Sequence, residues 1–129
     1  RHMIGLAKDG DPGGRLVGVA STAAVHGAQR AEAYAATKGA LIAMLRALAV
    51  ELARHGVTAN AILPGWIETE MTAKGIADEK FAAAVLPRIP VRRWGKPEDF
   101  AGIAVYLASD ASRYHTGDSF VIDGAYTIF

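Results

Sequence analysis

The chain has 129 residues, 51% of them hydrophobic and 21% charged, with a net charge of +1. That is an ordinary globular mix at a length suited to one domain, able to bury roughly two-thirds of the surface its unfolded form exposes. A near-neutral balance leaves no electrostatic footprint for nucleic acid or an anionic membrane. No run approaches the roughly 20 apolar residues of a bilayer span, and Asp9, Gly10, Asp11 and Pro12 interrupt any apolar leader. There is no cysteine, which removes disulfides, thiolate metal sites and cysteine nucleophiles and fits a reducing, cytoplasmic setting. His2, His26, His55 and His115 include no i, i+4 pair, so no metal site is expected.

Arg1-His2-Met3 reads as the end of a native helix rather than an expression remnant, because Ile4 and Leu6 continue an apolar pattern. Residues 9–14, DGDPGG, are turn chemistry. RLVGVA (15–20) is short, rich in valine and flanked by glycine, which predicts a buried strand. Residues 21–31 read as a loop over its end.

A long helix is predicted from Glu32 to His55, with Leu41, Met44, Leu45, Leu48 and Leu52 as an apolar stripe at three- and four-residue steps. Ala36, Ala40, Ala43 and Ala47 form a second, small-residue face fit for close packing. Gly56 stops the helix. VTANAIL (57–63) is a second strand, ended by Pro64-Gly65. Residues 66–76 are loop or a short broken helix, and 78–86 a short helix ended by Pro87 and Pro90. Pro97 opens a further helix to Ser109, with Glu98 and Asp99 complementing its dipole and Ala101, Ile103, Ala104, Leu107 and Ala108 as its buried face. SFVID (119–123) is the third strand, closed by Gly124. The order is βαβαβ, the mark of a parallel sheet covered on both faces. Three parallel strands are few for a complete domain, and strand 15–20 would be left as an apolar edge, so the chain reads as half of a larger fold.

Three elements carry chemistry. Tyr34 and Lys38 stand at i, i+4 on one helix face. A free phenol has a pKa near 10, so only about one part in a thousand is ionised at neutral pH. A neighbouring ammonium lowers that pKa and fits the phenol for acid/base work on a carbonyl or alcohol oxygen. Taken alone, a Tyr-x-x-x-Lys pair is more often a surface contact. Ser21 lies thirteen residues before Tyr34, at the C-terminal end of the first strand, where open parallel sheets bind ligands. It can donate to a reacting oxygen, or, with Thr22, merely satisfy turn backbone. The third element, Pro64-Gly65-Trp66-Ile67-Glu68-Thr69, ends the second strand. Its glycine suits close approach to a ligand and its proline fixes the turn, although a plain strand-ending turn looks the same.

Together these elements resemble the short-chain dehydrogenases/reductases in order and spacing. YAATKGAL (34–41) resembles that family's Tyr-x-x-x-Lys helix, NAILPG (60–65) its strand end, and residues 92–125 its C-terminal third. The likeness runs from about residue 15 to the end, and its flavour is nearest the ketoacyl-carrier-protein reductases. It implies the C-terminal half of a Rossmann-type doubly wound α/β sheet, with residues 1–129 a partial dinucleotide-binding domain and about 69–92 a variable substrate loop. It implies hydride transfer between NAD or NADP and a small carbonyl or alcohol, with no nucleic acid or membrane partner. Tyr34 would be the acid/base, Lys38 would tune it and hold the nicotinamide ribose, and Ser21 would orient the substrate carbonyl. Ile67 and Thr69, with the backbone of Pro64 and Gly65, would hold the carboxamide.

The family's pyrophosphate-binding glycine turn has no counterpart here, because Gly10, Gly13 and Gly14 precede a strand rather than joining a strand to a helix. The family's Asn-Asn-Ala-Gly stretch, its catalytic asparagine and the residue that selects NAD or NADP belong to the same absent half. Trp66, Met71, Phe81, Val85 and Leu86 line a substrate pocket or form core. His26, five residues after Ser21, faces substrate or lies in a solvated loop, the second being expected, and Arg92 and Arg93 stand at a solvated or interface position. Helix 32–55 and residues 118–129 resemble the family's subunit contacts, implying a homo-oligomer, a tetramer or dimer. The competing expectation is a non-catalytic half-domain acting as an interaction or oligomerisation module. A nucleotide-binding regulator on this fold has no feature of its own in the sequence.

Overall fold

The computed structural model describes residues 1–129. Its elements are α1 (His2–Lys8), β1 (Gly14–Val19), α2 (Glu32–Leu52), β2 (Val57–Pro64), α3 (Ala73–Ala77), α4 (Glu79–Val85), α5 (Ala101–Ala108) and β3 (Ser119–Ile122). Short 3-10 turns extend α2 through Ala53–His55 and α4 through Leu86–Arg88, and Pro97–Phe100 leads into α5. The helix expected over 97–109 is thus a 3-10 turn followed by a two-turn α-helix. The helical start of the chain and the broken 66–76 segment also resolve, as α1 and α3.

The sheet is three-stranded and parallel in the order β1-β2-β3. Gly14 through Val19 pair with Val57 through Ile62, and Ala61 through Pro64 with Ser119 through Ile122. β2 is therefore the central strand, and Val57 through Leu63 are all buried. Its side chains alternate between two layers. Ala59, Ala61 and Leu63 face α2 and join Ala20, Ile42, Leu45 and Ala49 in the main core. On the other face Asn60 donates from Nδ2 to the His115 carbonyl at 2.8 Å, and its Oδ1 accepts from Asp118 N–H at 3.0 Å. One buried amide thus fixes the loop that launches β3.

The α2 stripe is shifted from its expected centre. Ile42, Leu45, Ala49 and Leu52 are buried and Leu41 and Leu48 half-buried, but Met44 is exposed, one turn-step past the contact with β2. Ala36, Ala40, Ala43 and Ala47 are all exposed, so the small-residue face meets nothing within the chain. Glu32–His55 is long and apolar enough to cross a membrane by length and composition alone. Lys38, Arg46 and Glu51 punctuate it, and Leu41, Ile42, Leu45 and Leu48 pack in the core against the sheet. The buried face expected for α5 is also narrower: Leu107 is buried and Ile103 half-buried, while Ala101, Ala104 and Ala108 are exposed. The cause is β1, an edge strand whose second face is largely bare, with Val17 41% and Val19 57% exposed.

At the entry to α5, Arg93 forks Asp99 with two hydrogen bonds of 2.7 and 2.8 Å, and Lys96 N–H donates to the same carboxylate. Arg92 instead donates to the Pro87 carbonyl. The Arg93 hydrogen bonds, helped by the Lys96 amide, hold the Asp99 carboxyl down at about 2.

Two outcomes follow for stability. Asn60→Ala strands the His115 carbonyl and Asp118 N–H and lowers the unfolding free energy by about 1–3 kcal/mol, read by urea denaturation. Asp99 is depressed in the folded state, so its contribution is complete above the ordinary carboxylate value near 3.9 and is lost as pH falls through about 2. Asp99→Asn should flatten the fall of the melting temperature across that window and leave its slope at pH 6–8 unchanged.

Candidate active site

The C-terminal ends of β1 and β2 open into a cavity of about 530 Å³. All seven residues singled out in the sequence line it: Ser21, Tyr34, Lys38, Pro64, Gly65, Ile67 and Thr69. Val17, Val19 and Ile62 form its floor, and Phe100 and Ala104 approach from the α5 side.

Each is placed by local chemistry. Ser21 caps the 3-10 turn Thr22–Ala24, its Oγ accepting from Ala23 N–H at 3.1 Å. The turn-satisfying role and the cavity-facing position therefore coexist, because accepting that bond leaves the hydroxyl hydrogen free to donate. Tyr34 lies in the first turn of α2 and is 42% exposed. Lys38 follows one turn later; its Nζ donates to the Val19 carbonyl at 3.0 Å and sits 5.6 Å from the centre of the Tyr34 ring. The ammonium thus satisfies the Val19 carbonyl at the end of β1 and holds a positive charge beside the phenol.

Gly65 is needed for a reason other than ligand approach. A Cβ there would lie 2.6 Å from the Asp123 Cβ, so the glycine lets the end of β2 pass against the end of β3. Its N–H donates to the Ile122 carbonyl, and the Pro64 carbonyl accepts from Thr22 Oγ1. Ile67 forms an isolated parallel bridge with Gly95, and its own N–H makes no hydrogen bond within the chain.

Two positions escaped the sequence reading. Thr22 was weighed only as a turn residue; it is buried and ties the loop after β1 to the end of β2. Thr72 was not singled out. Its Oγ1 accepts from Thr69 N–H at 3.0 Å and lies within bonding distance of the Ile67 and Thr69 carbonyls. A threonine three residues beyond Thr69 is the spacing of a local hydroxyl–backbone turn, the one signal that could have flagged it.

A second cavity, about 370 Å³, adjoins the first and shares Ser21, Tyr34, Gly65, Met71 and Thr72 with it. Trp66, Phe81 and His26 add to its wall. The five residues that could have been pocket or core divide accordingly. Val85 is buried core with Leu86 packed on it, Met71 lines the cavity, and Trp66 and Phe81 do both, packing on that core and lining the cavity. His26 is half-buried at the cavity wall, where its ring meets Tyr126 edge-on at 5.6 Å.

A family model described as enoyl-(acyl carrier protein) reductase matches residues 1–127. The chain belongs to the short-chain dehydrogenase/reductase family. It is 43% identical over 113 residues to a 2-dehydro-3-deoxy-D-gluconate 5-dehydrogenase of Pseudoalteromonas atlantica, covering 88% of this chain and 44% of that one. It is 43% identical over 115 residues to the 3-oxoacyl-acyl-carrier-protein reductase FabG of Thermotoga maritima, 89% and 46% of the two chains. Among solved structures, a gluconate 5-dehydrogenase from Burkholderia cenocepacia in complex with NADP and tartrate superposes with a TM-score of 0.91 at 32% identity, covering 98% of this chain and 48% of that one. The chain therefore spans about half the length of the relatives it matches, and its three strands are part of a Rossmann-type dehydrogenase sheet.

Thr72→Val removes the acceptor of the Thr69 amide and should speed hydrogen exchange at that amide about tenfold, the equivalent of one lost hydrogen bond. Thr72→Ser, which keeps the hydroxyl, should restore protection.

Proposed function

We propose that this short-chain dehydrogenase/reductase chain carries the catalytic segment of an NAD- or NADP-dependent oxidoreductase that interconverts a carbonyl and an alcohol. The observation that carries the proposal is the convergence of Ser21, Tyr34 and Lys38 on one cavity with the Pro64–Thr69 loop, from three elements separated in sequence. The relatives support it in kind, since they are dehydrogenases and a reductase, and the Burkholderia protein holds NADP.

The residues present fit the nicotinamide end of such a cofactor. Ile67 has an N–H unpaired within the chain, Thr69 has a hydroxyl beside it, and Lys38 has two ammonium hydrogens beyond the one given to Val19. Ile67 and Thr69 would hold the carboxamide and Lys38 the ribose hydroxyls. The bound nicotinamide supplies the hydride in reduction and takes it in oxidation. The balance is ketone, NAD(P)H and a proton giving secondary alcohol and NAD(P)+.

This chain's own groups handle the oxygen. Ser21 Oγ donates to the substrate carbonyl, holding it while charge develops there. Tyr34 gives its phenolic proton to that oxygen and regains one from solvent, running in reverse for oxidation. The Lys38 ammonium stabilises the charge left on the tyrosine oxygen as the proton departs.

The exposed α2 face supports a homo-oligomer, dimer or tetramer. Ala36, Ala40, Ala43 and Ala47 present a flat surface, bordered by Met44 and the 85%-exposed Val50. Small side chains there would let a partner helix approach closely.

In the protein at its native length, Tyr34→Phe should lower kcat at least about 100-fold with no change in melting temperature, since positioned acid/base groups contribute 10²–10⁴. Turnover in the variant near the wild-type rate would sink the proposal.

A further inference from the structure

The cofactor-side residues Lys38, Ile67 and Thr69 line only the first cavity, whereas Ser21 and Tyr34 line both. The reacting oxygen, held by those two hydroxyls, therefore lies at the seam. The rest of the substrate extends into the second cavity. Its volume, about 370 Å³, is within the range of small-molecule sites.

Seven of the thirteen residues lining that second cavity are hydrophobic, Trp66, Phe81 and Met71 being the largest apolar ones. Trp66 and Phe81 meet edge to face at 5.0 Å, and Met71, Ala28, Ala31 and Gly75 complete the apolar surface. No lysine, arginine, aspartate or glutamate lines it. Lys38 lies in the wall of the first cavity, with its Nζ on the Val19 carbonyl, and Arg88 is stacked over the Tyr126 ring at 4.7 Å. The remaining polar side chains are hydroxyls and His26. The His26 Nδ1 is 2.9 Å from the Gly27 carbonyl, so that nitrogen carries its hydrogen inward to the backbone.

A carboxylate entering such a space would give up its hydration with no fixed cation from this chain to meet it. A flexible apolar tail would instead exchange water for the Trp66, Phe81 and Met71 surfaces. Met71 suits this, because it is 83% exposed and has an unbranched side chain able to fold over a ligand. We infer that the substrate of this site is an uncharged ketone, or its secondary alcohol, bearing an apolar chain or ring. That sets it apart in charge from the gluconates in the names of its relatives. The inference rests on the oxidoreductase reading above, and the two can fail separately.

The test uses the protein at its native length and a matched pair, octan-2-one and 7-oxooctanoate, which share the methyl ketone and differ in the terminal carboxylate. The probes are run with NADH and NADPH, with 5-keto-D-gluconate as a third substrate. The expected result is a kcat/KM for octan-2-one at least about tenfold above that for 7-oxooctanoate, falling at least about fivefold in Phe81→Ala. Equal or greater efficiency with 7-oxooctanoate, or reduction of the ketogluconate alone, overturns the inference and leaves the oxidoreductase reading intact. Loss of that acid preference in His26→Gln would identify the cation that had been overlooked. If no carbonyl is reduced, the oxidoreductase reading fails. Calorimetric titration with the same pair then decides the charge preference, and tighter binding of the acid overturns it.

Discussion

A parallel strand buried on both faces has only its two neighbours in which to satisfy its backbone, and β2 is the one strand here under that constraint. All seven residues from Val57 to Leu63 are buried, so their N–H and C=O groups must pair with β1 and β3 or be lost. The rest of the chain is arranged around that demand. α2 covers one face through the alanines of β2, and their small size draws the helix close. On the other face Asn60 uses an amide where a leucine would have fitted by size alone, and so pins the incoming loop of β3 in register. The site inherits its rigidity from this strand, because Pro64 and Gly65 are its last hydrogen-bonded residues.

From that anchor the cavity is built by close approaches rather than by long side chains. Gly18 of β1 leaves room for Leu45 and Leu41, so α2 descends onto the edge strand and carries Tyr34 and Lys38 to its end. Gly65 leaves room for Asp123, so β2 and β3 finish side by side and the following loop turns away over Gly95. Asp123 then spends both carboxylate oxygens on the Ala125 and Thr127 amides and the Thr127 hydroxyl, which ties down the C-terminal segment that presents Tyr126 to the aromatic cluster. Backbone packing at two glycines therefore brings the elements of the three catalytic candidates together, and the Ser21 hydroxyl and Lys38 ammonium, each with one local hydrogen bond, keep further hydrogens to offer a ligand.

The strands were legible because each is a short apolar run bracketed by glycine or proline, and the order of elements follows from those brackets alone. The catalytic candidates were legible because helix periodicity puts residues four apart on one face and strand ends are where parallel sheets bind. What was not legible depends on partners distant in sequence. Nothing local distinguishes Met44, left outside the contact, from Ile42, which lies inside it; the difference is which side of α2 the strands β1 and β2 meet. The alanines of α5 have the spacing of a buried face, but an edge strand with a bare second face gives them nothing to pack against. Thr22 and Thr72 look like turn residues in sequence, and only the fold shows that one reaches Pro64 and the other clasps Ile67 and Thr69.

The division of the site into two chambers has a physical logic of its own. Hydrogen-bonding groups with spare capacity, the Lys38 ammonium and the Ile67 amide, gather on one side of Ser21 and Tyr34. Aromatic and thioether surfaces gather on the other. The two hydroxyls stand at the boundary, where a reacting oxygen would have polar partners and the remainder of its molecule would not. The polar side is made by residues at strand ends and on α2, all fixed by the core. The apolar side is made largely by the segment between β2 and α5, where α3 and α4 are short and few residues are buried. Mutations there change wall shape at little cost to the sheet, while the hydroxyl and ammonium groups on α2 and at the end of β1 stay in place.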